Sequence, residues 1–203
     1  MAGLETTATF DKSKDEFVLH TPTVTATKFW PGSLGRFGNH AIVFARLLVD
    51  ENDFGVQPFL VQIRDLENHM PLPGVQVGDI GAKLGYGSKD NGWLIFNKKR
   101  IPRTNMLMRF AGIDNEGNFE IRGDLRAIYQ IMVAIRQQLI TGAGLYMIKT
   151  LRLAIRYSVC RRQFSTIPGS KEERKILDYQ SHMFKLGPLL CDAYMMIITG
   201  KFL

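Results

Sequence analysis

Cysteine is scarce in this chain: Cys160 and Cys191 are the only two, and they have no CxxC spacing. So few thiols exclude a disulfide framework and a four-thiolate metal centre, and they suit a reducing compartment. Both sit in apolar, helix-like runs; Arg161 beside Cys160 could lower its thiol pKa, but a lone cysteine on an apolar helix reads as a packing residue. Long hydrophobic stretches are also missing, because Lys, Arg or Gly interrupts each one well short of the roughly 18 residues a membrane span needs. The histidines at 20, 40, 69 and 182 show no metal-ligand spacing and have no serine or cysteine partner nearby in sequence, so they read as structural. Residues 1–7 carry Glu5 and no basic-then-apolar run, and the last three residues, Lys201-Phe202-Leu203, differ from the Ser-Lys-Leu peroxisomal address. No leader, transit peptide or peroxisomal signal is therefore visible.

Acidic residues are the most unevenly withheld. Between 122 and 163 only Asp124 faces Arg122, Arg126, Arg136, Lys149, Arg152, Arg156, Arg161 and Arg162, within a chain of net charge +7. Such a stretch attracts an anion. Nucleic acid is disfavoured as that anion, because no aromatic residues alternate with the bases and no helix-turn-helix or zinc pattern appears. Lys149, Arg152 and Arg156 read as a solvated basic face. The remaining composition, 45% apolar and 22% charged over 203 residues, is that of one ordinary globular domain or two small ones.

The hydrophobic period changes once along the chain. Residues 6–30 alternate as strands do, with residues 17–19 and 24–30 rich in β-branched and aromatic side chains; residues 41–49, 58–63 and 93–96 continue the pattern. Residues 71–74 and 78–92 are punctuated by Gly, Pro and polar residues and read as long loops. From Gly123 the pattern is helical, with Asp124 placed to cap and Ile128, Ile131, Met132, Ile135 and Leu139 recurring at three- and four-residue spacing towards Cys160. Gly142 and Gly144 inside that helix predict close packing against another helix. Ile167-Pro168-Gly169-Ser170 breaks the pattern, and a second helix is predicted from near Lys171, with Tyr179, Met183, Leu186, Leu190, Tyr194 and Ile197 near one face and a kink at Pro188. The fold class is α+β: a mostly antiparallel β-barrel or sandwich over 1–121, then, over 122–203, two helices of a larger bundle. Neither helix covers its apolar face alone, so more helices are expected from another chain or from further sequence.

Gly32-Ser33-Leu34-Gly35-Arg36-Phe37-Gly38 follows a strand, as a dinucleotide-binding turn would. Its spacing is GxxGxxG and not GxGxxG, so the pyrophosphate-binding turn is not specified.

Two segments carry a more specific signal: Lys28-Phe29-Trp30-Pro31-Gly32-Ser33-Leu34-Gly35 and Arg156-Tyr157-Ser158-Val159-Cys160-Arg161-Arg162-Gln163-Phe164. In this order they resemble the flavin-handling segments of the acyl-CoA oxidases, relatives of the acyl-CoA dehydrogenases. The similarity continues through Asn39-His40-Ala41-Ile42-Val43, Gly78-Asp79-Ile80-Gly81, Gly85-Tyr86, Asp90-Asn91-Gly92 and Arg100-Ile101-Pro102-Arg103-Thr104-Asn105-Met106-Leu107, nearly the whole chain. The Gly-Asp-Ile-Gly and Arg-Ile-Pro segments look more like oxidases than dehydrogenases, which implies oxygen as electron acceptor.

The resemblance implies FAD as cofactor and acyl-CoA as substrate, oxidised to trans-2-enoyl-CoA with release of hydrogen peroxide in the peroxisome. It places Trp30 near the flavin ring and the backbone of Gly32 at its reactive edge, where a glycine has no Cβ to obstruct the ring and its N–H can donate to N5. It places Arg161 near the flavin-nucleotide pyrophosphate of a neighbouring subunit, with Gln163 and Phe164 in the same segment, Gln180 facing the partner's cofactor and Arg136 near bound acyl-CoA. On the first predicted helix Arg136 and Arg161 are 25 residues apart, about seven helical turns, so both point the same way and one face carries two cations. Where relatives carry an acid one turn before that arginine, this chain has Val133. The resemblance also implies a preceding helical domain with a Gln-Thr-Glu loop and later helices bearing the proton-removing glutamate, neither of which lies in these residues. The chain alone is then expected not to turn over and to join a homo-oligomer or a complementing chain; a non-catalytic subunit keeping the fold is the alternative.

Overall fold

In the computed structural model, residues 3–124 and 126–202 are described. The chain divides into two compact units, Met1–Leu125 and Arg126–Leu203.

The first unit is built of strands β1 (Thr7–Asp11), β2 (Glu16–His20), β3 (Lys28–Phe29), β4 (His40–Val49), β5 (Asn52–Gln62), β6 (Val75–Asp79), β7 (Gly92–Phe96), β8 (Lys99–Pro102), β9 (Ala111–Ile113) and β10 (Phe119–Ile121). They form a five-stranded sheet in the order β5-β4-β1-β2-β8, a three-stranded sheet β3-β7-β6 and a β9/β10 pair. All pairings are antiparallel except β1 with β4, which run parallel. The antiparallel expectation holds, but the described strands make three separate sheets and no closed barrel.

Strict alternation explains the core. Along β4, Val43, Ala45, Leu47 and Val49 are buried while their neighbours are more open, as a half-buried strand with period two requires. Phe17 sits between Phe10 and Phe59, with ring centroids 5.2 and 5.0 Å away, the second contact edge-to-face. The β4–β5 hairpin closes on Asp50 and Glu51, both left-handed at φ 48° and 67°, the backbone a tight turn between twisted strands demands.

Two local expectations fail for identifiable reasons. Residues 24–26 are not strand: Thr23 accepts a hydrogen bond from the Ala26 N–H and winds Val24–Ala26 into a single 3-10 turn. Residues 78–79, expected to open a loop, are the end of strand β6 instead, because their backbone pairs with β7 despite the glycine.

The second unit is an antiparallel pair of helices, α1 (Ala127–Cys160) and α2 (Gln180–Phe202). Arg126, not Asp124, occupies the N-cap of α1 and makes no capping side-chain bond. The side chains of Ile128 and Ile131 lie outside the described residues. α2 starts later than the periodicity suggests because residues 162–175 first form an extended hairpin. There, Gln163 N–H donates to the Arg174 carbonyl at 2.9 Å and Arg174 N–H to the Phe164 carbonyl at 2.8 Å; a 3-10 turn, Ile176–Asp178, follows. α2 continues through Pro188.

The helices meet through small residues. A Cβ on Gly144 would lie 2.8 Å from Ile197 and 2.9 Å from the Ala193 carbonyl, and one on Gly200 would strike Thr141. Gly142, by contrast, has open space around it, so only one of the two predicted glycine contacts exists. Gln137 Nε2 donates to the Gly200 carbonyl at 2.8 Å. At the other end the hydroxyl of buried Ser158 donates to the Ala154 carbonyl at 2.6 Å and lies 2.7 Å from His182 Nε2. A structural role for His182 therefore holds, through a serine distant in sequence. Cys160 and Cys191 are free and exposed, which corrects the reading of Cys160 as a packing residue. Most large apolar side chains of the pair stay open, among them Leu139, Leu145, Leu153, Phe184, Tyr194 and Phe202. No described helix is long and apolar enough to cross a membrane.

Candidate functional site

In the β unit the chain leaves β3 at Trp30 and runs through the glycine segment into β4, not into a helix. Trp30 has φ 87°, a backbone state that costs a bulky L-residue and marks strain. Two bonds hold it there: Trp30 N–H donates to the Gly92 carbonyl at 2.9 Å, and Asn91 Nδ2 donates to the Trp30 carbonyl at 2.7 Å. The indole is 55% exposed, beside Phe29 at 62% in the same segment. Gly32 is exposed, and a Cβ there would meet only the end of the Lys89 side chain. Its backbone is thus bare to any flat group that displaces a flexible amine.

The loop after Gly32 is clamped from two sides. Arg64, 5% exposed, donates through its guanidinium to the carbonyls of Gly38 at 2.5 Å, Gly35 at 2.9 Å and Leu34 at 3.1 Å. Burial lowers its pKa, opposed by the charge of Asp90. The Asp90 carboxylate accepts from the N–H groups of Arg36 at 3.0 Å and Phe37 at 3.1 Å. Burial would raise that carboxyl, but the two N–H groups and Lys89 bring it below its ordinary value. Gly35 and Gly92 pack backbone to backbone: a Cβ on Gly92 would fall against the Gly35 N and 2.7 Å from the Gly78 carbonyl. The glycine spacing thus serves close chain approach, not a phosphate turn. Sequence reasoning missed Arg64 as a positioning residue, and the only signal was a lone arginine closing an apolar strand run.

Lys28, on β3, is half-buried, and its ammonium donates to the Phe44 carbonyl at 2.8 Å. Burial pushes its pKa down to about 8. The unfolded chain therefore holds more protons between pH 8 and the ordinary lysine value of 10.5, and stability rises with pH across that window. Lys28→Met removes the penalty. It should stabilise the β unit by about 2 kcal/mol at pH 7 after allowance for solvent screening and the lost bond, with the advantage shrinking towards pH 10.5. Paired denaturant titrations at pH 7 and 10 check this; an advantage that does not shrink would refute it.

In the helical unit Arg161 is the C-cap of α1, with extended angles φ −72° and ψ 128°. It has left the helix, so the seven-turn argument that put it on one face with Arg136 does not apply; Arg136 stays on α1, exposed. Arg161 Nη2 donates to Gln163 Oε1 at 2.6 Å, which aims one edge of the guanidinium and leaves the molecule's planar fork partly free. Phe164 is left-handed at φ 53° and 71% exposed. Tyr179 donates its hydroxyl to the Gln163 carbonyl at 2.7 Å, and the next residue, Gln180, opens α2 exposed to solvent. The fold thus gathers Arg161, Gln163, Phe164 and Gln180 around the helix connection, while Trp30 and Gly32 belong to the β unit.

Residues 129–203 match the family model described as acyl-CoA oxidase, C-alpha1 domain. The chain is 46% identical to peroxisomal acyl-coenzyme A oxidase 1 of Arabidopsis thaliana over 99% of its own length, and 45% identical to the Rattus norvegicus protein of that name over 100%. It spans 31% of the length of each of these relatives. Among solved structures it is similar to Caenorhabditis elegans acyl-CoA oxidase-2 bound with FAD, ascaroside-CoA and ATP, at a TM-score of 0.92 and 45% identity, covering 98% of this chain and 30% of that one. Fold and sequence together define a segment of the acyl-CoA dehydrogenase/oxidase superfamily. Within it, the chain belongs to the acyl-CoA oxidase family.

Proposed function

We propose that this chain is the flavin-contacting segment of an FAD-dependent acyl-CoA oxidase of fatty acid β-oxidation, working in the peroxisome. Residues 1–121 serve as its β-domain and 122–203 as the first helices of its C-terminal domain. The observation that carries this reading is likeness along 98% of the chain, at a TM-score of 0.92, to an acyl-CoA oxidase solved with FAD, ascaroside-CoA and ATP.

The residues present fit the cofactor. Exposed Trp30 and the bare backbone of Gly32 offer a surface for a flat ring, and the buried Asn91 Oδ1 beside them has no hydrogen-bond donor among the described residues. Arg161, oriented by Gln163, offers a planar cation to phosphate oxygens, and Phe164 and Gln180 stand at the same connection. The chemistry supplied by bound FAD is uptake of hydride from the acyl chain and delivery of electrons to oxygen. The protein's part is to hold the ring edge at a strained, clamped loop, to fix the phosphates of a neighbouring subunit's cofactor and, through Arg136, to receive acyl-CoA. Removal of the α-proton falls to a glutamate that the family resemblance assigns outside these residues, within a homo-oligomer or a complementing chain.

Two measurements test this. Purified 203-residue chain supplied with FAD and a long-chain acyl-CoA should form no hydrogen peroxide. A chimera in which this chain replaces the matching segment of the Arabidopsis relative should retain FAD and form peroxide from acyl-CoA. Peroxide from the chain alone would sink the division of labour, and a folded chimera unable to hold FAD would sink the functional reading.

A further inference from the structure

Within the β unit, Lys28 lines a cavity of about 320 Å³ whose other walls include Leu34, Ala41, Val43, Phe44 and Leu94. That volume lies at the lower end of the roughly 300–1,000 Å³ typical of small-molecule sites. Lys28 is the one titratable side chain on the cavity wall, and no carboxylate pairs with it among the described residues. Its single hydrogen bond, to the Phe44 carbonyl, needs only one N–H. A half-buried ammonium with no counter-ion is unfavourable, and the neutral amine that burial favours carries a nucleophilic lone pair. Burial brings its pKa down to about 8, so at pH 7.5 far more of Lys28 is neutral than of an ordinary exposed lysine.

An apolar cavity beside one reactive amine matches a particular reagent: a hydrocarbon tail ending in an electrophilic carbonyl. We propose that Lys28 is a covalent acylation site, whose amine attacks the thioester carbonyl of an acyl-CoA while the acyl tail occupies the adjacent cavity. The amide C–N bond forms as the thioester C–S bond breaks. CoA leaves as the thiolate and takes up the proton the amine loses, so nothing is oxidised or reduced. The product has no charge to desolvate, and its tail fills the cavity. Pro31 also lines that cavity, so the modification sits directly against the Trp30 to Gly32 turn. The choice of acyl donor rests on the acyl-CoA reading above; the nucleophile and the cavity do not.

The test uses the unmodified chain at pH 7.5 with three donors: decanoyl-CoA, acetyl-CoA and the decanoyl thioester of N-acetylcysteamine, which has the same tail and no nucleotide. Initial acylation rates at Lys28 and at exposed Lys14 and Lys185 are read by peptide mass mapping. Decanoyl transfer to Lys28 should be at least tenfold faster than to either exposed lysine. The decanoyl-to-acetyl ratio should also be several-fold larger at Lys28 than at Lys14. If the nucleotide-free thioester keeps this preference and decanoyl-CoA does not, the Lys28 site stands and acyl-CoA as the natural donor falls. Lys28 reacting no faster than Lys14 and Lys185 with both decanoyl donors, or showing no chain-length preference, overturns the proposal.

Discussion

Replacing Arg64 with leucine is expected to destabilise the β unit by about 3–4 kcal/mol. The side chain is buried and its guanidinium satisfies three carbonyls of one loop, those of Leu34, Gly35 and Gly38. Leucine fills much of the volume and none of the hydrogen-bonding role. Each carbonyl left dry costs about 1–3 kcal/mol, and water recovers part of that for the one nearest the surface. In thermal unfolding the loss should appear as a fall of roughly 10–15 °C for a unit of this size. Arg64→Lys should recover only a minority, since an ammonium cannot span three acceptors as a planar fork does. Amide exchange at Gly35 and Gly38 should accelerate well beyond the global change, because the clamp acts on that loop first. A leucine variant that melts within a few degrees of the parent would show the three bonds to be dispensable.

The second large effect concerns Arg161. In the chimera that retains FAD, Arg161→Ala should weaken cofactor binding about tenfold to a hundredfold, the loss of charge-assisted bonds worth roughly 1.5–3 kcal/mol. Arg152→Ala removes an equal charge from the exposed face of α1 and should change the affinity little. Gln163→Ala should fall between the two, since Gln163 accepts from Arg161 Nη2 and limits the rotamers of a flexible side chain. FAD dissociation constants of the three variants decide the matter. Equal losses for Arg161 and Arg152 would reduce Arg161 to one cation of a basic surface.

Legibility in the sequence followed the physics of each segment. The switch from strand to helix was readable because period two and period 3.6 are global properties of a run, and the end of α1 at Cys160 fell where the pattern stopped. The start of α2 was not readable. Residues 171–179 have a helical apolar spacing, but the backbone groups of Arg174 and Ile176 bond to Arg161, Gln163 and Phe164, a pairing that no local signal encodes. The turn at Val24–Ala26 was hidden likewise, since β-branched residues favour strands and only Thr23 as a cap argues otherwise. At the candidate site, family resemblance pointed to Trp30 and Gly32, whose role is proposed above. Their supports, Arg64 and Asp90, act from 26 or more positions away on carbonyls and N–H groups, and backbone groups leave no mark in a sequence. Arg161 illustrates a third limit: a spacing argument along a helix is only as good as its last residue, and here the chain turns extended one residue too soon.

Gly144 facing Ala193 and Ile197, Gly200 against Thr141, and Ser158 bonded to His182 pin α1 to α2 at points spread over roughly 26 Å of helix. Two smooth apolar rods could slide past one another by a turn at little cost. These two cannot, because a shift would drive side chains into the spaces that only glycine leaves open and would part His182 from Ser158. The pair therefore works as a keyed joint. Its exposed rows, from Leu139 to Leu153 and from Phe184 to Phe202, are displayed at one fixed spacing, so an element that packs against them meets a ready-made template and pays little entropy to set the register.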